Sequence, residues 1–307
     1  MTSLSVDFAG VAFKNPIVLA SGTAAYGREL HDIVNLDRIG GLVTKAVSLA
    51  PRAGAAAPRV SDFPGGMINA IGLANPGVDV VRNTELPWLA SHLTNTRVLA
   101  NVVGNALEDF ASVIERLDDA TVLSGYELNV SCPNVKAGGL EFGADRVVMR
   151  ALIERARAAT RRKVVVKLSP TLPDIVGAAQ VCADAGADAI TLTNTLPGLV
   201  IDVETRRPRV GFGSGGVSGP PLLPIGVLAT WKVSRAVTLP IIGLGGVSRA
   251  EHALQYIIAG ATLVGVGTAG LVDPRAPERI VRDLERWCDR HGVTSLSSVR
   301  GTLQWPA

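Results

Sequence analysis

Eight short apolar runs recur along the 307 residues, and helical patterns lie between most of them. The runs are Ile17–Ala20, Gly41–Val47, Val98–Val103, Tyr126–Val130, Val164–Leu168, Ala189–Thr193, Pro240–Leu244 and Thr262–Val266. Each is rich in β-branched residues and bounded by Gly, Pro, Asn or Ser, which reads as a strand. Glu108–Asp119 has Phe110, Val113, Ile114 and Leu117 on one helical face. Pro173–Ala185, Pro221–Val237, Arg249–Ala259 and Ala276–Arg290 read as further helices, and Ser248 with Glu251 suggests a capping box before the third of these. Alternating strands and helices require parallel crossovers, and eight such units predict a closed (β/α)8 barrel. Leu4–Phe13 is expected to form a small hairpin closing the barrel bottom, and the whole chain, 1–307, is expected to be one domain. The longest stretches with no regular pattern, about Leu49–Asn83 and Leu196–Gly219, are expected to be functional loops.

Composition narrows the function classes. Hydrophobic residues make up 47% and aromatic residues 4%, so the core must rest on Val, Ile, Leu and Ala, as suits a parallel sheet buried on both faces. A net charge of +3 gives no case for nucleic acid. The nearest approach to a basic run, Arg161-Arg162-Lys163, is expected to be a solvated helix end. Three cysteines, Cys132, Cys182 and Cys288, fit no metal spacing, so no metal is expected and a reducing compartment is. The first residues lack a basic start followed by an apolar stretch, and no apolar run is long enough for a bilayer. The expectation is a cytoplasmic protein without a membrane span.

Barrel catalysis sits at the C-terminal strand ends, and those ends are polar here. Lys45, Asn101, Asn129, Lys167 and Asn194 all fall at that end of different apolar runs. A buried amine or amide without partners costs a few kcal/mol, about 1–3 by mutational accounting, so five at one end argue for a site. Gly245-Gly246 and Gly267-Thr268 follow runs seven and eight, where bare backbone N–H groups of barrels meet phosphate. Together these features imply a phosphorylated ligand such as FMN over the barrel mouth. Cys132, between Asn129 and Asn134 on a polar strand end, is the candidate base; as a thiolate it could take a proton. Cys182 and Cys288 fall within apparent helices and read as packing residues.

Five segments in order carry a family resemblance: Asn69–Gly77 (NAIGLANPG), Asn129–Gly143 (NVSCPNVKAGGLEFG), Leu192–Leu196 (LTNTL), Gly215–Pro220 (GGVSGP) and Ile242–Gly246 (IGLGG). Together they resemble the class 1 dihydroorotate dehydrogenases from about Val6 to Trp287, and the run after Asn134 is most similar to the class 1B catalytic subunit. Ala55–Ala57 and Thr193 depart from the usual pattern. The resemblance implies oxidation of dihydroorotate to orotate in pyrimidine biosynthesis, with FMN accepting the hydride from C6 and Cys132 taking the proton from C5. It implies pyrimidine contacts from Lys45, Asn69, Ala70, Ile71, Gly72, Leu73, Asn129, Asn134, Asn194 and Thr195. It implies FMN contacts from Ser21, Lys45, Ala46, Asn101, Asn129, Lys167, Thr193, Gly219, Gly245, Gly246, Gly267 and Thr268. It further implies a homodimeric core and a partner subunit carrying FAD and a [2Fe–2S] cluster, a heterotetramer that reduces NAD+. Three other readings stay open: a fumarate-linked class 1A homodimer or another dihydropyrimidine oxidoreductase, a tRNA-dihydrouridine synthase, and a non-catalytic flavin-binding barrel. Only 17 residues follow Arg290, which leaves little room for the RNA-binding domain of the second.

Overall fold

The computed structural model describes residues 3–131, 133–134 and 140–306, with backbone alone at 133, 134, 140 and 141. Eight parallel strands close into a barrel: β1 (Ile17–Leu19), β2 (Gly41–Val43), β3 (Arg97–Val102), β4 (Leu123–Asn129), β5 (Lys163–Leu168), β6 (Ala189–Leu192), β7 (Ile241–Leu244) and β8 (Leu263–Val266). They follow chain order around the ring, and β8 pairs back onto β1. The eight apolar runs thus are the eight barrel strands. The second is shorter than expected because the Lys45 N–H turns away to the Ala25 carbonyl at 2.8 Å.

Helices cover the outside. Helix Leu107–Leu117 buries Phe110, Val113, Ile114 and Leu117, and the Asp109 carboxylate accepts from the Asn105 and Ala106 N–H groups at its start. Ile175–Asp184, Leu223–Ser234, Ala250–Ala259 and Ala276–His291 follow the expected positions. Helix Arg146–Ala158, capped by Asp145 accepting from the Val147 and Val148 N–H groups, completes the ring beyond the sequence expectation. The Ser248 cap is corrected. The helix begins at Ala250 with Arg249 at the cap, so Ser248 lies one residue too early, and its hydroxyl meets His252 Nδ1 at 3.3 Å. The Arg161–Lys163 expectation is corrected too. Arg162 donates to the Asp118 carbonyl and Lys163 pairs with Asp188 at 3.3 Å, so two of the three residues clamp the barrel bottom.

The hairpin Val6–Phe8 and Val11–Phe13 plugs that bottom. Phe8 and Phe13 meet edge to face with centroids 5.8 Å apart, and pack on Val18, Val43, Leu99, Val165, Ala189, Ile242 and Leu263. These seven residues come from seven of the barrel strands and form an apolar floor. At the other end, the stretches expected to be irregular form an antiparallel sheet instead. Its order is Leu196–Gly198, Gly215–Ser218, Gly66–Asn69, Val60–Phe63. Pairing between segments so distant in sequence leaves no local signature.

Candidate active site

Above the apolar floor the inward positions turn polar. Asn101 on β3 pairs in register with Glu127 on β4, Asn129 with Lys167 on β5, and Lys167 with Thr191 on β6. Side chains two residues apart on a strand share a face, so three strands climb from apolar floor to polar layer within one step. Leu99 gives way to Asn101, Val165 to Lys167, and Ala189 to Thr191.

These residues open into a cavity of about 1120 Å³ at the C-terminal strand ends, roofed by the four-stranded sheet. Ser21, Lys45, Ala46, Asn69, Ala70, Ile71, Gly72, Leu73, Asn101, Asn129, Lys167, Thr193, Asn194, Thr195, Gly219, Gly245, Gly246, Gly267 and Thr268 all line it. Every sequence-derived site residue is therefore on one wall system, except Cys132 and the Asn134 side chain, which lie outside the described residues. A shallower hollow of about 290 Å³ around His31, Leu36 and His92 takes in none of the strand ends. Among the described residues no cluster of His, Cys, Asp and Glu could hold a metal.

Local hydrogen bonds set the pyrimidine-sized part of the wall. Asn194 Nδ2 donates to Asn129 Oδ1 at 3.4 Å, and the Thr195 N–H donates to Asn194 Oδ1 at 2.8 Å. Asn69 Nδ2 donates to the Gly216 carbonyl at 3.2 Å, a side-chain bond between two paired strands of the roof sheet. Gly216 has to be bare: a Cβ there would lie 2.1 Å from Thr195 Oγ1. On the other side, Tyr256 reaches up from its helix to donate to the Gly245 carbonyl at 2.9 Å. Gly246 next to it has φ +70°, and a Cβ would come within 2.6 Å of the Leu223 nitrogen. Thr268 opens the short helix Thr268–Val272, and its hydroxyl donates to Ser218 Oγ at 2.8 Å.

Several polar groups face the cavity unsatisfied. Asn101 Oδ1, Ser131 Oγ and Thr193 Oγ1 are buried without partners among the described residues, and each residue lines the cavity. Lys45 and Lys167 also line it, and neither ammonium has a hydrogen-bond acceptor among the described residues. Buried polar atoms are normally paired, so this concentration fits a polar, anionic group held in the cavity. The two glycine turns supply the bare backbone that a phosphate requires.

Sequence reading missed Glu127. It is 1% exposed and accepts from Asn101 Nδ2 and Thr191 Oγ1, each at 2.8 Å. A signal existed: a carboxylate inside an apolar strand run, two positions before Asn129 and so on the same face. Met67, Ser169 and Arg279 also line the cavity and carried no motif of their own; Ser218, within the Gly215–Pro220 segment, and Ser248, read as a helix cap, line it as well.

A sequence-family model described as dihydroorotate dehydrogenase matches residues 3–287. The chain belongs to the dihydroorotate dehydrogenase family. Within that family it is 45% identical over 301 residues to a protein of Pelobacter propionicus named dihydroorotate dehydrogenase B (NAD(+)), catalytic subunit, covering 98% of each chain. Relatives of the same name from a Geobacter species and from Citrifermentans bemidjiense are each 44% identical over 301 residues, again with 98% coverage of both chains. The crystal structure of a dihydroorotate dehydrogenase of Eimeria tenella in complex with ferulenol superposes with a TM-score of 0.82 at 23% identity. It covers 97% of this chain and 88% of the other, and shares the barrel architecture.

Proposed function

We propose that this chain is the catalytic subunit of an NAD-linked dihydroorotate dehydrogenase, oxidising dihydroorotate to orotate in pyrimidine biosynthesis. The observation that carries the reading is end-to-end similarity to relatives of that name, joined to a polar ring under a cavity of about 1120 Å³. In this reading the whole chain acts as one barrel domain.

The cavity's unsatisfied groups suit FMN, which when bound supplies the acceptor for the hydride leaving C6. Gly219, Gly245, Gly246, Gly267 and Thr268 would hold its phosphate, and Ser21, Ala46, Asn101, Lys167 and Thr193 its ring system. Lys45 and Lys167, both on the cavity wall, would supply fixed positive charge to the developing negative charge, an effect that needs no reorganisation at the moment of reaction. Orotate is a flat anion with amide-like edges. Asn69, Asn129, Asn134 and Asn194 can match those edges donor to acceptor, and Lys45 can offset the carboxylate. Thr195 and the backbone from Ala70 to Leu73 would close the pocket around the ring. Cys132 follows the end of β4 by three residues and would receive the C5 proton as a thiolate.

Electrons must then leave. The relatives' designation as a catalytic subunit supports a separate electron-transfer partner, which we read as a subunit carrying FAD and a [2Fe–2S] cluster on a homodimeric core. No helix among the described residues is long and apolar enough to cross a membrane, in keeping with a cytoplasmic assembly.

The test is anaerobic. The purified chain, loaded with flavin, is given dihydroorotate and then offered fumarate or NAD+. Loss of the oxidised flavin absorbance, with reoxidation by NAD+ only after a partner subunit is added, is the expected result. Rapid reoxidation by fumarate would move the chain to the fumarate-linked class. No loss of absorbance would remove dihydroorotate as substrate.

A further inference from the structure

A buried carboxylate needs a reason, because removing a charge from water costs several kcal/mol, on the order of 3–5 when it is left unpaired. Glu127 sits between the apolar floor and the cavity, where a valine or leucine would continue the core. Four adjacent strands bring these groups together: Asn101 is in register with Glu127, Lys167 with Thr191 one side-chain step above, and the Glu127 carboxylate bridges the two pairs. Both Glu127 oxygens accept: Oε1 from Asn101 Nδ2 and Oε2 from Thr191 Oγ1, each at 2.8 Å. Acceptance at both oxygens is the pattern of an ionised carboxylate.

Its counter-charge is held loosely. Lys167 Nζ lies 3.9 Å from Glu127 Oε1, beyond hydrogen-bond reach, and the lysine side chain is 7% exposed. The ammonium is attracted toward the carboxylate without being clasped by it. Among the described residues its donors meet no other acceptor, and they face the cavity. Asn101 is fixed in the opposite sense. With Nδ2 committed to Glu127, the amide leaves Oδ1 buried and unpartnered beside the cavity. One carboxylate therefore decides which face Asn101 presents and how much of the Lys167 charge is left over.

We propose that Glu127 is a positioning residue for the bound flavin, orienting Asn101 and partly offsetting Lys167, so that it sets the flavin's reduction potential. The proposal rests on the flavin reading of the cavity. A fixed negative charge under the ring opposes added electron density there, and the low-dielectric surroundings weaken that opposition little. Removing it leaves the Lys167 charge unopposed, and the potential rises.

The experiment measures the flavin midpoint potential against a reference dye in wild type, Glu127→Gln, Lys167→Gln and the joint variant. The expected order is Glu127→Gln above wild type, Lys167→Gln below it, and the joint variant between the two. Glu127→Gln is also expected to release flavin more readily, since one amide oxygen replaces two acceptors, and Thr191 Oγ1 must turn from donating to accepting from the new amide Nε2. A purely structural carboxylate would lower the melting temperature of Glu127→Gln and leave the potential where it was, and that result, or a lowered potential, overturns the proposal. If Glu127→Gln does not fold, the joint variant has to fold better, because the charge imbalance is gone; a joint variant no better than the single also overturns it. Wild type that carries no flavin would remove both the flavin reading and this inference. Wild type whose flavin is reduced by dihydroorotate, beside an unmoved Glu127→Gln potential, would remove this inference alone.

Discussion

Cysteine chemistry here is decided by surroundings. Burial pushes the Cys182 thiol up to about 12, and Cys288 is raised as well, first by burial and then by Asp289. Raised thiols make poor thiolates near neutrality, in keeping with the proposal of Cys132 as the base. Cys132→Ala is expected to retain flavin and lose at least about 100-fold in turnover, the usual contribution of a positioned base. Steady-state rates beside a flavin absorbance spectrum check this; near-normal turnover would reassign the base. At this scale the sequence was informative where a residue type was out of place. Two lysines and three asparagines inside apolar runs announced the site. Glu127 was equally out of place but belongs to no recognised motif, and its partners come from β3 and β6, which only the closed barrel brings beside β4.

Single elements are tied down by local polar clamps that a sequence hardly advertises. Asp37, in the short helical turn Leu36–Arg38, accepts from the Thr94, Asn95 and Thr96 N–H groups and from the Thr94 hydroxyl, fixing the entry to β3. Burial alone would raise its pKa, but the Thr94 hydroxyl and the Asn95 and Thr94 N–H groups outweigh it and hold the carboxyl at about 2, against an ordinary 3.8. A depressed folded pKa contributes stability above the unfolded value and loses it as pH falls through the folded one. Asp37→Asn is therefore expected to cost about 1–2 kcal/mol near neutrality. The deficit should shrink as pH falls from the ordinary 3.8 through about 2, below which the wild-type carboxyl is protonated in both states. Urea titrations at several pH values read this directly, and a pH-independent deficit would contradict the assignment. The misplaced Ser248 cap shows the same limit from the other side. Serine followed by glutamate three residues on is a sound local signal, yet His252 captures the hydroxyl and the helix starts one residue later than a serine cap requires.

Over the whole molecule, the division between an apolar lower half and a polar upper half was readable from the order of residues along each strand. The roof was not, because Gly66–Asn69 pairs with Gly215–Ser218 across some 150 residues of chain, and no local pattern encodes such a partner. The floor supports the barrel as a unit. Phe13→Ala would open a void under seven strands and is expected to destabilise the fold by about 3–5 kcal/mol while leaving the cavity residues in place. Equilibrium unfolding would show the loss, and flavin content near wild type in the folded fraction would show that the site persists.

The hairpin plug has one more consequence. With Phe8 and Phe13 stoppering the lower end, the barrel is a flask rather than a pipe. Among the described residues the lower end offers Lys167 and Glu127 only apolar packing, and the cavity opens at the upper end. An occupant of that upper cavity thus sits above the two charges like a stopper, with the phenylalanine plug as its counterpart below.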